Sequence, residues 1–153
     1  MPSPTPPVRR VSSTTSVLPV AVASRRTSSS GSGGGDLTVV TWGNGLYLSL
    51  RVARMLLKQG IAANVVDLRW LAPLPLEEVL REATATGRML VVDETRRTGG
   101  VGEGIVAELL AAGYRGRLAR VASKDSFVPL GDAARLVLVS EDEIEEAALR
   151  LVG

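Results

Sequence analysis

A three-layer α/β/α sandwich built on a mostly parallel sheet is the fold class this sequence predicts, on three observations. From Asp36 onward, short runs rich in Val and Leu alternate with longer amphipathic runs. The short runs are nearly continuous in apolar character, as strands covered on both faces tend to be. Turn-forming residues separate each run from the next, and strand–helix alternation at this pitch implies right-handed crossovers between parallel strands.

The first strand is read from "LTVVTW", residues 37 to 42. The helix after it carries Leu46, Leu50, Ala53 and Leu57 at helical spacing, with Arg51, Arg54 and Lys58 turned elsewhere. Gly60 stands where a left-handed C-terminal cap is wanted. "AANVVDLR" (62 to 69) is the second strand, and Pro75 suits the first position of a second helix that runs through Leu76, Val79 and Leu80 to Gly87. "MLVVDE" (89 to 94) is the third strand. A third helix follows the glycine cluster, with Ile105, Val106, Leu109 and Leu110 on one side and Gly113 as terminator. "RLARVAS" (117 to 123) is the fourth strand. The last helix is announced by "SEDE": Ser140 and Glu143 form a capping box, and Ile144, Ala147, Ala148 and Leu151 supply the buried stripe.

The chain has 153 residues, enough for one compact core. It contains no cysteine and no histidine, which excludes disulfides, thiolate and zinc-thiolate sites, and every triad that needs an imidazole. The net charge of +2 hides an uneven distribution. Residues 1 to 35 hold four arginines and no acid, so the remainder, with 14 basic and 16 acidic residues, is slightly acidic. With one Phe, two Tyr and two Trp it offers neither a basic stripe nor a stacking platform, which argues against nucleic acid. No run approaches the length of a membrane span.

Residues 1 to 35, rich in Ser, Thr, Pro and Gly and closing in "SSSGSGGG", read as a disordered tail preceding a domain at 36 to 153. Their acid-free, Arg- and Ser-rich character also resembles an organellar transit peptide, and "VRR" before "SVLPVAVAS" resembles a secretory signal.

The richest motif is "VVDETRRTGGVGEG", residues 91 to 104. Its glycines follow a strand and precede a helix, as in a dinucleotide-binding turn. The spacing fails, because a Gly-x-Gly-x-x-Gly pattern from Gly100 and Gly102 needs glycine where Ile105 stands. Close backbone packing at the entry to a helix explains these glycines better. Asp93 and Glu94 sit at the carboxyl end of a parallel strand, where open α/β sheets place functional groups. As neighbours in a strand they face opposite ways, so an ion pair with Arg96 or Arg97 that holds the turn is favoured over an acid–base pair. "WGNG" (42 to 45) reads as a connector in which Asn44 and Gly45 suit positive φ or helix capping. Trp70, in "RWLAPLP", is an aromatic on a loop and a candidate interface anchor.

In combination, "DLTVVTWGNGLYLSLRVARMLLKQGIAANVVDLRWLAPLP", "GRMLVVDETRRTGGVGEGIVAELL" and "RVASKDSFVPLGDA" resemble the C-terminal domain of the transketolase superfamily. The β-type subunit, or β half of a fused chain, of thiamine-diphosphate-dependent 2-oxo acid dehydrogenases is the branch they resemble most. The resemblance covers residues 36 to 153. It implies a mixed sheet of four to five strands, the extra one antiparallel and available here only from residues 18 to 23. It further implies a role in dimerisation and docking, with Trp70, Asp93, Glu94, Arg96, Arg97, Thr98, Gly99 and Gly100 at the interface. The implied partners are a second copy or an α-type subunit, and a lipoyl acyltransferase core. Thiamine diphosphate and magnesium would be bound by domains outside the matched residues, so this chain is expected to hold no cofactor ligand and to be inactive alone, as a fragment of such an enzyme. The alternative is a free-standing interaction module. The expected compartment is the cytoplasm, or an organelle if residues 1 to 35 are a transit peptide.

Overall fold

The computed structural model describes residues 16–18 and 35–153. In chain order the elements are β1 (Ser16–Leu18), β2 (Leu37–Thr41), α1 (Asn44–Lys58), β3 (Ala63–Asp67), α2 (Leu76–Thr86), β4 (Arg88–Asp93), α3 (Val101–Ala111), β5 (Arg117–Ala122), a 3-10 turn (Gly131–Leu136) and α4 (Glu141–Val152). One five-stranded sheet runs in the order β1-β3-β2-β4-β5, parallel except for β1. This is the predicted α/β/α sandwich with a mixed sheet.

The sheet is apolar on both faces because successive strand residues point to opposite sides. Leu37, Val39, Val65, Leu90 and Val92 meet Val52, Ala53 and Leu56 of α1 and Ile144, Ala147, Ala148 and Leu151 of α4. Val40, Val66, Met89 and Val91 meet Val79 and Ala83 of α2 and Ile105 and Leu109 of α3. The two buried threonines of β2 do not stay unsatisfied. Thr38 Oγ1 donates to the Glu82 carbonyl at 2.8 Å and Thr41 Oγ1 to the Val92 carbonyl at 3.1 Å.

Several expectations shift by a residue or two, for local reasons. The buried stripe of α1 is Gly45, Ser49, Val52, Ala53 and Leu56, not the one centred on Leu46, Leu50 and Leu57, which are only partly buried. Gly45 sets this rotation, since α1 approaches β2 so closely there that a Cβ would strike Thr41 Oγ1. Pro75 is the N-cap of α2 instead of its first helical residue. On α3, Leu110 is 52% exposed while Ile105 and Leu109 are buried. The α4 capping box is present as expected: the Glu143 N–H donates to Ser140 Oγ at 3.2 Å, and the Ser140 N–H to Glu143 Oε2 at 3.0 Å.

Residues 1 to 35 are not wholly without structure. Ser16–Leu18 runs antiparallel to β3, with Ser16 opposite Asp67, Val17 opposite Val66 and Leu18 opposite Val65. The antiparallel strand that the resemblance implied from residues 18 to 23 thus falls at Ser16–Leu18 and shares only Leu18 with that range, because an open strand edge presents unpaired N–H and C=O groups that an extended segment can satisfy without a hydrophobic period of its own. The other expectations for the tail, including both leader readings, lie outside the described residues. Among the described residues no helix is long and apolar enough to cross a membrane.

Candidate functional site: the carboxyl rim of the sheet

Parallel strands β2 to β5 all end on one side, so the loops that follow them form a common rim. The turn after β4 dominates it, and Asp93 organises that turn. Its side chain is fully buried. Oδ1 accepts the Thr95 N–H at 2.8 Å and the Thr95 hydroxyl at 2.6 Å, and Oδ2 accepts the Gly102 N–H at the start of α3 at 2.7 Å. The Arg120 guanidinium on β5 stands 3.9 Å from Oδ2 and donates to the Arg97 carbonyl. The expected pairing of Asp93 with Arg96 or Arg97 is therefore corrected: the partner is Arg120, because the carboxylate points inward, away from the turn's own arginines. Asp93 accordingly lies beneath the rim and not on the interface surface where it was placed.

The glycines at 100 and 102 follow from this carboxylate. A Cβ on Gly102 would lie 2.7 Å from Asp93 Oδ2, and one on Gly100 would meet the Arg96 carbonyl and, at 2.8 Å, Asp93 Oδ2. Gly99 adopts φ of +66°. A phosphate at this helix N-terminus would need the N–H that Asp93 already holds.

Glu94 turns outward and accepts from Asn44 Nδ2 at 2.8 Å, which ties the β4 turn to the β2 connector. In that connector the positive φ falls on Gly43, at +57°, and not on Asn44 or Gly45, which are helical. Arg96, Arg97 and Thr98 are exposed, and Trp70 is 50% exposed on the loop after β3, two strands away.

The sequence reading missed the segment after β5. Asp125 clips it to the β4 turn: the Thr98 N–H donates to Oδ1 at 2.9 Å and the Thr98 hydroxyl to Oδ2 at 2.7 Å. Beside the clip lies a cleft of about 890 Å³ lined by Thr95, Arg96, Thr98, Asp125, Ser126 and Phe127. Phe127 is 97% and Leu130 96% exposed, and Val128 and Leu136 are also largely open. The signal for this patch was present in "SFVPL", apolar residues in a segment with neither strand nor helix period. Among the described residues no three His, Cys, Asp or Glu side chains cluster as metal ligands would.

The Thr98 hydroxyl, followed by the Thr98 N–H, with a smaller contribution from the Arg96 charge, holds the Asp125 carboxyl below its ordinary value. A lowered folded pKa makes the clip's contribution present above the ordinary carboxylate pKa and lost as pH falls through the lowered value. Thr98→Val is expected to move the Asp125 titration upward, read by carboxyl NMR. An unmoved titration would mean the clip does not persist in solution.

Fold and rim together define the class: an open α/β sandwich with one antiparallel edge strand, whose distinctive surface is borne on loops. The chain belongs to the family described as the transketolase C-terminal domain, which it matches over residues 30–144. It is 32% identical over 122 residues to the pyruvate dehydrogenase E1 component subunit beta of Bacillus subtilis, covering 78% of this chain and 38% of that protein. Against the Staphylococcus aureus (strain Mu50) subunit of the same name it is 32% identical over 118 residues, covering 75% and 36%. Among solved structures, an inactive β4 tetramer of a split-gene transketolase superposes with a TM-score of 0.68 at 29% identity, over 78% of this chain and 39% of that one. The chain thus spans under two-fifths of the length of these relatives.

Proposed function

We propose that this chain is a C-terminal docking and dimerisation domain of a thiamine-diphosphate-dependent 2-oxo acid dehydrogenase, of the β-subunit type, acting in the cytoplasm. Its rim receives a second copy or an α-type subunit, and the assembled enzyme passes an acyl group to a lipoyl acyltransferase core. The observation that carries this reading is the near-complete exposure of Phe127, which lines one cleft with Arg96, and of Leu130 three residues further on. Apolar side chains held this open, next to arginines without an ion-pair partner among the described residues, are what an interface core and its anchors require. The likeness to a β4 tetramer described as inactive supports both assembly and the absence of chemistry in the isolated chain.

The test is binding of the full chain to the thiamine-binding subunit and acyltransferase of a pyruvate dehydrogenase, by calorimetry. Arg97→Ala is expected to weaken association by about 2 kcal/mol, roughly thirtyfold, because its charged partner is left unpaired in the complex. Stability of the free chain should change by under about 1 kcal/mol, since the guanidinium is exposed. Unchanged affinity with a large loss of stability would show that the turn serves only its own domain. The isolated chain, given thiamine diphosphate, magnesium and a 2-oxo acid, is expected to show no turnover; measurable decarboxylation overturns the non-catalytic assignment.

A further inference from the structure

Arg120 makes two unequal contacts beneath the rim. It stands on β5 directly opposite Val91 of β4, so its side chain shares a sheet face with Asp93, two residues further along β4. That side chain is mostly buried. Its Nη1 lies 3.9 Å from Asp93 Oδ2, beyond hydrogen-bond distance, and is buried without a hydrogen-bond partner among the described residues. Nη2 instead donates to the Arg97 carbonyl, 23 residues away in the chain. A group serving only as counter-charge to Asp93 would set its donors on the carboxylate. Here the hydrogen bond that forms goes to the backbone of the turn, and the carboxylate contact stays loose. The turn is fastened on both sides of Arg97, Thr95 to Asp93 and Thr98 to Asp125. Arg120 adds the tie between them. A guanidinium suits this task because its N–H groups diverge in a rigid plane, one arm toward a carboxylate and another toward a carbonyl.

On the reading of the rim as a docking surface, we infer that Arg120 is its positioning residue: it pins the Arg97 carbonyl from below, so that the exposed Arg96 and Arg97 side chains meet a partner's carboxylates in one fixed arrangement. Preorganisation of this kind raises affinity by reducing what must be ordered on binding.

The test is Arg120→Lys in the full chain, which keeps a positive charge beside Asp93 but replaces the planar fork with a single ammonium. In the free protein, the Thr98 N–H, bonded to Asp125, and the Gly99 N–H, bonded to Glu103, report on the turn, and the Glu143 N–H of the α4 capping box is the control. Amide hydrogen exchange is expected to quicken about tenfold at Thr98 and Gly99 and to stay unchanged at Glu143. Wild-type exchange at the turn would leave Arg120 a mere counter-charge and overturn the inference; equal quickening at Glu143, a loosening of the whole fold, would overturn it too. A second measurement is calorimetric binding to the thiamine-binding subunit of a pyruvate dehydrogenase. Arg120→Lys should weaken it about tenfold in the wild-type background and less than about twofold on Arg97→Ala, because the effect acts through a side chain that is no longer there. Equal losses in both backgrounds overturn the positioning role. Failure of the wild-type chain to bind would overturn the docking reading of the rim, while the exchange measurement still decides whether Arg120 holds the turn.

Discussion

Asp93→Asn is expected to destabilise the chain by about 3 kcal/mol, although it changes a carboxylate for a group of nearly the same size. Asp93 is fully buried and acts only as an acceptor, taking two hydrogen bonds from Thr95 on one oxygen and one from Gly102 on the other. An amide cannot do this. With its oxygen toward Thr95, its NH2 faces the Gly102 N–H and the Arg120 guanidinium; turned around, it faces the Thr95 N–H. Either way two donors are buried against each other, and Arg120 loses its counter-charge. Chemical denaturation measures the loss, with half-buried Glu94→Gln, which keeps an acceptor oxygen for Asn44, as a control expected within about 0.5 kcal/mol. A change under about 1 kcal/mol for Asp93→Asn would show that the carboxylate does not hold the turn.

A pair of glycine substitutions on one helix is expected to act with opposite signs. Gly104→Ala should stabilise by about 0.8 kcal/mol, because it lies inside α3, nothing stands within 4 Å of its added Cβ, and alanine is the better helix former. Gly102→Ala gains the same propensity but sets a Cβ 2.7 Å from Asp93 Oδ2 and 2.9 Å from Asp93 Cβ. Real Cβ contacts are not this short, and the tied Asp93 side chain cannot swing away. Overpacking of this kind costs about 1–3 kcal/mol, so after the propensity gain a net loss of about 1 kcal/mol is expected. The substitution should also shift the β4 turn and lower partner affinity more than Gly104→Ala does. Equal effects at the two positions would mean that the start of α3 is not pressed against Asp93.

The elements themselves were legible in the sequence, because burial on two faces leaves a local trace. Continuous Val and Leu runs marked β2 to β5, and Ser140 with Glu143 marked the start of α4 as far as its capping box. Resemblance in "TRRTGGVG" and "DLRWLAPLP" pointed to the family and to the rim as the face of interest. Tertiary structure decided what depends on distance between chain-remote atoms. That Asp93 faces Arg120 instead of the arginines three and four residues ahead of it follows from β4 and β5 lying side by side, with Asp93 opposite Ala122. Asp125 joins the rim because Thr98 comes within 2.9 Å of it across 27 residues, a proximity no period encodes. "SFVPL" hinted at an apolar segment outside any strand or helix, but that Phe127 stays uncovered was decided by packing, and β1 is a strand only because β3 offers it an open edge. A residue's own neighbourhood determines whether it can form a helix or strand, whereas its charge partner and its exposure depend on which other segment folding brings beside it.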